Sequence, residues 1–333
     1  MYDVAKKAGV SIATVSRAIN KNYPVKEETR KKIEEAIEEL GYIPNEIARS
    51  LTLKSTSTIG VIVPSITNLF FPTMVEEINK VLINKGFTTS LYSTEGNPNL
   101  EKTVAENIIS RSMDGIIAID PSIENLENNY FKNLSQKIPT IIINGDTDKY
   151  QCNFVSYDEK AGAKEAFRYL LNLGHREISF IRGDRSLSYD IKEDVYRSFI
   201  KENNLKYKKI INVGMGNNLE VIENTKRICE QLLISRKIGT AVFACNDLMA
   251  VGVINACNKV KVRVPQDISV IGFDNILLSN IVYPPITTID LNIEEVSKKA
   301  ARELIKMIKE KSTEMEKRVY KTKLIIRESC SER

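Results

Sequence analysis

Residues 2 to 20 read Tyr2-Asp-Val-Ala-Lys-Lys-Ala-Gly-Val-Ser-Ile-Ala-Thr-Val-Ser-Arg-Ala-Ile-Asn20, and this stretch predicts two short helices joined by a sharp turn. Val4, Ala5 and Ala8 place an apolar stripe on the first helix. Gly9 falls where that helix must end, because glycine adopts a positive φ without steric cost. Ser11 is the expected N-cap of the second helix, where its hydroxyl can accept a hydrogen bond from a backbone amide.

The second helix has one apolar and one outward face. Val15 and Ile19 face inward at positions i and i+4. The residues left outward are Ile12, Ala13, Thr14, Ser16 and Arg17. A short helix that presents its N-terminal residues in this way has the geometry that enters a DNA major groove, and an arginine there can donate two hydrogen bonds to guanine. Spacing alone leaves an ordinary helical hairpin as an equally good interpretation, because such hairpins are common.

This stretch contains three short motifs in succession: Tyr-Asp-Val-Ala, Ala-Gly-Val-Ser and Thr-Val-Ser-Arg-Ala-Ile-Asn. They resemble the N-terminus of the lactose/galactose repressor family (LacI/GalR), and the likeness continues along nearly the whole chain. The resemblance implies a sequence-specific DNA-binding transcriptional repressor of carbohydrate metabolism or catabolite control, acting as a homodimer on a pseudo-palindromic operator. The DNA contacts that it implies are Tyr2, Ser11, Ile12, Ala13, Thr14, Ser16, Arg17, Asn20, Arg49 and Leu51.

The segment from 24 to 57 predicts a third helix and then a linker. Ile33, Ala36, Ile37 and Leu40 recur at helical spacing within residues 24–41, so we place a helix-turn-helix domain at 1–43. Residues 44–57 are a short helix-capable piece and a Ser/Thr stretch, which by composition is a mobile tether. In the family the matching segment is a hinge helix that orders on the operator. Leu51 then carries over as the residue that wedges between central base steps and kinks the DNA.

Residues 58–333 predict an α/β fold, with two doubly wound parallel-sheet subdomains. Short β-branched strands such as 59–63, 115–119 and 140–143 alternate with amphipathic helices, a pattern typical of parallel sheets covered on both faces. The family has such a core, similar to periplasmic sugar-binding proteins, with a ligand cleft between the halves. We expect the chain to cross between subdomains near 157, 290 and 320. This gives an N-terminal subdomain of 58–157 with 290–319, and a C-terminal one of 158–289 with 320–333.

Polar side chains follow several of the predicted strands, where doubly wound sheets bind ligands. Carboxylates and amides can bind sugar hydroxyls, and an aromatic ring can stack on a sugar. Asp247 opens a helix, so we expect it to be a helix cap rather than a ligand contact. Asn246 and Asp274 match family positions that contact the effector. The candidate effector site consists of Ser65, Asn68, Phe71, Arg185, Asn246 and Asp274, for a sugar, sugar phosphate or nucleobase.

Two departures from the family pattern concern ligands. The arginine with which the family commonly grips its effector is replaced by Val195, and Arg185 or Arg197 could substitute for it. The sequence of the second helix, which would be the recognition helix, is similar to that of the catabolite control protein A subgroup. The corepressor of that subgroup is serine-phosphorylated HPr. That subgroup binds the phosphoserine with an arginine in a Ser-x-x-Val-Arg-Pro motif. Here Tyr283 stands in its place, so a phosphoserine partner would lose its bidentate donor.

Composition excludes several other classes of protein. The 48 basic and 43 acidic side chains give a net charge of +5, which permits a nucleic-acid partner without requiring one. The five cysteines are scattered, and the sequence has neither a signal peptide nor a membrane-length apolar run, so we expect a cytoplasmic protein without a membrane partner. The single histidine, His175, lies in no nucleophile motif, and phosphate-binding and metal-binding motifs are absent. We therefore expect no enzyme, cofactor or metal site.

One alternative remains open from the sequence. The chain could be a small-molecule receptor of the sugar-binding type, with the N-terminal helices serving protein interaction rather than DNA binding.

Overall fold

The computed structural model describes residues 1–20, 23–42, 55–143, 149–184, 186–310 and 317–333, which fall into two compact units, Met1–Ser57 and Thr58–Arg333. The first unit contains α1 Tyr2–Ala8, α2 Ile12–Asn20 and α3 Glu27–Glu39. Its small core consists of the buried side chains of Val4, Ala5, Val15, Ile33 and Ala36. This core lies wholly within the first 42 residues.

The turn between α1 and α2 has the predicted chemistry. Gly9 has a φ of 66°, in the left-handed region, and ends α1. The Ser11 hydroxyl accepts the Thr14 N–H at 3.1 Å, so its role as N-cap is confirmed. The third helix is shorter than the predicted range of 24–41. It begins after Lys26, whose ψ of 140° is extended, and it ends before Gly41, whose φ is 57°.

The second unit alternates strands and helices. In chain order its elements are β1 Thr58–Val63, α4 Phe70–Ile83, β2 Thr88–Ser93, α5 Pro98–Ser110, β3 Gly115–Ile119, α6 Ile123–Glu127, α7 Tyr130–Ser135, β4 Thr140–Ile143, β5 Phe154–Tyr157, α8 Glu159–Asn172, β6 Ile178–Arg182, α9 Leu187–Glu202, β7 Lys209–Asn212, α10 Glu220–Ile234, β8 Ala241–Ala244, α11 Asp247–Val260, β9 Ser269–Ile271, α12 Leu277–Ile281, β10 Thr288–Asp290, α13 Ile293–Glu310, β11 Lys317–Tyr320 and β12 Lys323–Ile325.

The strands of the second unit form two parallel sheets and a small antiparallel pair. The first sheet has the order β11-β5-β4-β3-β1-β2, and the second has the order β7-β6-β8-β9. β10 pairs with β12 in antiparallel register. The central strands β3, β4 and β8 are buried along their whole length, because helices cover both faces of each sheet. The fold is the α/β architecture with two parallel-sheet subdomains that the sequence predicts.

The chain passes between the two sheets at the β-strand ends. It leaves the first sheet after Tyr157 and enters α8, which packs against α9 and β8 of the second. It returns after β10 to form α13, which packs on α4 and on β3 to β5. β11 then completes the edge of the first sheet before β12 pairs beside the second. The carboxyl ends of β1, β3 and β5 therefore face those of β6, β8 and β9 across a cleft.

His175 and the C-terminal residues hold the second sheet together. The buried His175 ring makes hydrogen bonds of 2.9 Å to the hydroxyls of Thr240 and Ser269, and its Nε2 lies 3.1 Å from the Ser331 carbonyl. Burial lowers the pKa of this histidine. The Ser329 hydroxyl accepts the Thr287 N–H and donates to the Val270 carbonyl. His175 is therefore a hydrogen-bonded structural residue, as the sequence predicts.

None of the helices in the described part of the chain combines the length and the apolar character needed to cross a membrane.

Candidate functional site

The outer face of α2 presents the residues that the sequence assigns to DNA. Ser11, Ile12, Ala13 and Arg17 are exposed, whereas Thr14 and Ser16 are half-buried. Val15 is buried in the core of the first unit, which fixes the rotation of the helix and turns these side chains outward. Tyr2, at the start of α1, is 68% exposed. Such a face of small, polar and cationic side chains has the chemistry that reads base edges in a major groove.

Arg17 is positioned by an aromatic neighbour. Its guanidinium carbon lies 5.5 Å from the centre of the Tyr23 ring, within the range of a cation–π contact. Three predicted DNA contacts cannot be located: Arg49 and Leu51 lie outside the described residues, and so does the side chain of Asn20.

Removing the Ser11 cap should loosen α2. Ser11→Ala leaves the Thr14 N–H without its side-chain acceptor, so we expect a local loss of about 1 kcal/mol. Amides at the start of α2 should then exchange with deuterated water about fivefold faster in the full chain. Ser198→Ala, an exposed substitution on α9, is the matched control. Unchanged exchange in α2 would show that the hydroxyl does not stabilise this end of the helix.

The cleft of the second unit contains an outer cavity of about 1130 Å³. Loops after β1 and β2 form one wall, and loops after β6 and β7 form the other. Ser65 lies here, and its hydroxyl bonds to the Thr67 N–H and hydroxyl. Acidic side chains outnumber basic ones among the described lining residues, because Glu95, Asp184 and Glu220 face one arginine, Arg182.

An inner chamber of about 20 Å³ adjoins the outer cavity, with Tyr189 and Asn217 in both linings. The structure brings four sequence-predicted residues together in it: Asn68, Phe71, Asn246 and Asp274. The other members of its lining are Phe70, Asp120, Tyr157, Ser188, Tyr189, Lys192, Asn217 and Cys245. Ser65 is thus separated from the other predicted residues, and Arg185 lies outside the described residues.

The helix-cap prediction for Asp247 is wrong by one residue. Asn246 is the N-cap of α11, because its Oδ1 accepts the Met249 N–H at 2.9 Å. The buried Asp247 carboxylate instead accepts the Ile276 N–H at 2.9 Å and the Thr288 hydroxyl at 2.6 Å. Burial raises the pKa of Asp247 to about 7. Its role is to fix the loop after β9, which carries Asp274, against β10.

Asn246 is also occupied by other partners. Its amide nitrogen donates to the Gly216 carbonyl at 2.9 Å and to the Tyr189 hydroxyl at 3.2 Å. The Tyr189 hydroxyl in turn donates to the Asn217 Oδ1 at 2.7 Å. Asn246 therefore organises the chamber wall, and a ligand would have to replace one of these bonds to contact it.

Asp274 is the predicted residue whose side chain is best placed to bind a ligand. It is 8% exposed, lines the inner chamber, and its carboxylate accepts no hydrogen bond from the described residues. Its backbone has a φ of 107°, a strained conformation of the kind found at functional sites, and its N–H donates to the Ile289 carbonyl. Burial and the neighbouring carboxylates raise the pKa of Asp274 far above its usual range, although Lys192 opposes the shift.

Lys192 is a buried cation that sequence analysis missed. Its ammonium donates to the Ser188 hydroxyl at 2.7 Å and to the Cys245 carbonyl at 3.3 Å, and it pairs with Glu159 at 3.3 Å. It also lies 3.9 Å from the centre of the Phe273 ring. Burial lowers the pKa of Lys192, but the opposing effect of Glu159 and other acidic groups is larger. The net shift of its pKa is therefore upward, and the side chain stays charged. No pattern in the neighbouring sequence predicts that this lysine of α9 is buried.

Asp120 was also missed, although the rule that found the other residues applies to it. It directly follows β3, as Ser65 and Asn246 follow their strands. Burial and the charge of Glu159 raise its pKa to about 7. The Asn217 amide donates to its carboxylate at 3.3 Å, which links the two walls of the cleft.

Of the two arginines that could replace the family's effector-binding arginine, Arg197 does not line the inner chamber, and Arg185 lies outside the described residues. Val195 is buried, and Arg197 is an exposed partner of Glu193 outside both linings. Arg182 reaches the outer cavity, where it pairs with Asp190 and Glu193. Lys192 is thus the only cation in the inner lining among the described residues.

Comparison with known proteins places this geometry in context. Residues 1–45 match the model of bacterial regulatory proteins of the lacI family, and residues 167–330 match a periplasmic binding protein-like domain. The transcriptional repressor PurR of Pasteurella multocida is 33% identical over 99% of this chain and 98% of its own. Catabolite control protein A of Priestia megaterium is 31% identical over 94% of each chain. A crystal structure of the Lac repressor dimer bound to operator and the anti-inducer ONPF has the same fold, with a TM-score of 0.87, 24% identity and coverage of 99% of this chain and 98% of that one.

Proposed function

Because this chain belongs to the LacI family of bacterial regulatory proteins, we propose that it is a repressor that binds a pseudo-palindromic operator as a homodimer and responds to a ligand in the cleft of its second unit. Members of this family are transcription regulators and not enzymes. The observation that carries the proposal is the exposed outer face of α2, oriented by buried Val15 and capped by Ser11. Two such faces, one per subunit, need half-sites related by a two-fold axis.

In the proposed complex each α2 lies in a major groove. Arg17 donates to a guanine, and Ser11, Ile12, Ala13 and Thr14 lie at base edges or phosphates. Leu51, by resemblance, wedges between the central base steps and kinks the operator. Ligand binding changes the closure of the cleft and with it the affinity for DNA. This coupling is reciprocal, so operator binding must change ligand affinity by the same factor.

A small ligand, rather than serine-phosphorylated HPr, is the controller that we propose. Tyr283 is 82% exposed and stands where the catabolite control subgroup has its arginine. A tyrosine hydroxyl cannot provide the two parallel charged N–H donors that a phosphate oxygen pair accepts from arginine. The named relatives include repressors other than catabolite control protein A, so sequence similarity does not require this partner.

The test is selection of operators from random duplex DNA by the full chain, followed by fluorescence anisotropy at one stated salt concentration. We expect the selected sites to be pseudo-palindromes, and a single half-site to bind much more weakly. Adding serine-phosphorylated HPr should leave the affinity unchanged. Selection of no common sequence would contradict the DNA-binding proposal and favour a receptor whose helices bind protein. Tightening by HPr would contradict only the choice of a small ligand.

A further inference from the structure

The inner chamber has more negative than positive side chains. Asp120, Glu159 and Asp274 lie in or beside it, and Lys192 is the one cation among the described residues that line it. Besides burial, Asp120 and Glu159 both raise the pKa of Asp274, and Lys192 lowers it, so these three groups lie close enough to Asp274 to interact with it. Buried carboxylates in such a cluster are unfavourable unless a cation or protons neutralise them. Lys192 already forms an ion pair with Glu159, so it does not neutralise Asp274.

The three N–H groups of the Lys192 ammonium already have acceptors within the protein. An ammonium has three N–H donors, and those of Lys192 are directed to Ser188, to the Cys245 carbonyl and to Glu159. Asp274 lies in the same lining and accepts no hydrogen bond from the described residues, although it is more than nine-tenths buried. The chamber therefore contains a carboxylate that is ready to accept a donor from outside the chain.

The size of the chamber limits what that donor can be. About 20 Å³ of free space is enough for one water-sized group, but not for a sugar ring or a base. A primary ammonium has nearly the size of a water molecule and offers three donors. The rest of a ligand would occupy the outer cavity of about 1130 Å³, which is itself lined by Glu95, Asp184 and Glu220.

Aromatic rings supply the remaining walls of the chamber. Phe70, Phe71 and Tyr157 belong to its lining, and the Phe70 and Tyr157 rings meet edge to face at 6.3 Å. Carboxylates combined with aromatic rings are a surrounding that favours organic cations, because the ring faces carry partial negative charge. An anion such as a sugar phosphate would meet repulsion from the acidic side chains.

We propose that the ligand of the cleft is a primary amine whose ammonium enters the inner chamber and donates to Asp274 and Asp120. Its entry replaces the Asn217 amide at Asp120, the 3.3 Å contact that links the two cleft walls. The carbon skeleton of the amine lies in the outer cavity between the loops after β1 and β7. This inference rests on the proposed function for its premise that the cleft binds the controlling ligand.

The experiment is isothermal titration of the full chain with matched pairs of sugars at about pH 7, where the amines carry a proton. A bound ammonium favours the charged form of Asp274 and so opposes the upward shift of its pKa. The pairs are glucosamine with glucose, galactosamine with galactose, and mannosamine with mannose, with agmatine added as an amine that is not a sugar. Methylammonium chloride is tested in parallel for its effect on the melting temperature, against equimolar sodium chloride and tetramethylammonium chloride. We expect an amine to bind at least about tenfold more tightly than its neutral partner, or methylammonium alone to raise the melting temperature.

Variants decide whether the chamber is responsible. Asp274→Asn should weaken amine binding about 10- to 100-fold and remove the effect of methylammonium, because a neutral amide loses the charge-assisted hydrogen bond. Asp194→Asn, an exposed substitution on α9, should change neither. If Asp274→Asn does not fold, Asp120→Asn provides the same comparison.

Three results would overturn the inference: neutral partners that bind as tightly as amines, an amine preference that survives the chamber variants, or no response to any amine including methylammonium. Operator binding by the same preparations separates the two proposals. A chain that binds its operator normally but ignores amines loses only this inference.

Discussion

Replacing Lys192 with methionine is expected to lower the free energy of unfolding of the second unit by about 3 to 5 kcal/mol. The substitution keeps the length and apolar stem of the side chain but leaves the Glu159 carboxylate buried without its cation. Glu159 is 4% exposed, and one of its oxygens already has no hydrogen-bond partner among the described residues. Urea unfolding followed by circular dichroism measures the loss, since the chain has no tryptophan to report it by fluorescence.

A double substitution tests the cause of that loss. Lys192→Met combined with Glu159→Gln removes both charges, so the double variant should recover at least about 1 kcal/mol relative to the sum of the two single effects. Lys160→Met, an exposed neighbour on α8, should leave stability unchanged. Strict additivity of the two buried substitutions would mean that packing around Lys192, rather than its charge, stabilises the site.

Arg17→Ala is expected to weaken operator binding by about 1 to 3 kcal/mol, roughly ten- to a hundredfold, and to relax the preference at one base pair in each half-site. The proposed contact with guanine would lose its two hydrogen bonds. Arg17→Lys should recover part of the affinity and little of the preference, since lysine keeps the charge without the fork of donors. Anisotropy with the selected operator and with single-base variants at the same salt measures both quantities.

Arg302→Ala is the control for lost charge, because Arg302 is an exposed arginine on α13. It should leave both affinity and preference unchanged. Equal weakening of every operator variant by Arg17→Ala would indicate that Arg17 contacts phosphate and that another residue reads the base.

The features of the fold that depend on neighbours in sequence were predictable. Gly9 and Ser11 define the turn before α2 by their own conformational and hydrogen-bonding preferences, and runs of β-branched residues predict the buried strands. The error at Asp247 has a cause that is not local in sequence. Asn246 and Asp247 are both good caps, and the choice between them depends on Thr288 and the Ile276 amide, which are distant in sequence.

The candidate ligand site divides along the same line. Asp120 could have been found, because it follows a strand like the residues that were chosen. Lys192 and Glu159 could not, since each becomes significant only when α8 and α9 pack together and bury both. A sequence shows that a lysine is present on a helix, but its charge partner is a property of the assembled core.

The positions of β11, β12 and Ser331 have a consequence for protein synthesis. A ribosome makes the chain from its amino end, and the core of α1 to α3 is complete once the first 42 residues have emerged. The first sheet obtains its edge strand only with residues 317–320, and His175 obtains its carbonyl partner only with residue 331. The unit that carries α2 can therefore fold early during translation, whereas the unit that contains the cleft is complete only after residue 331 has been made.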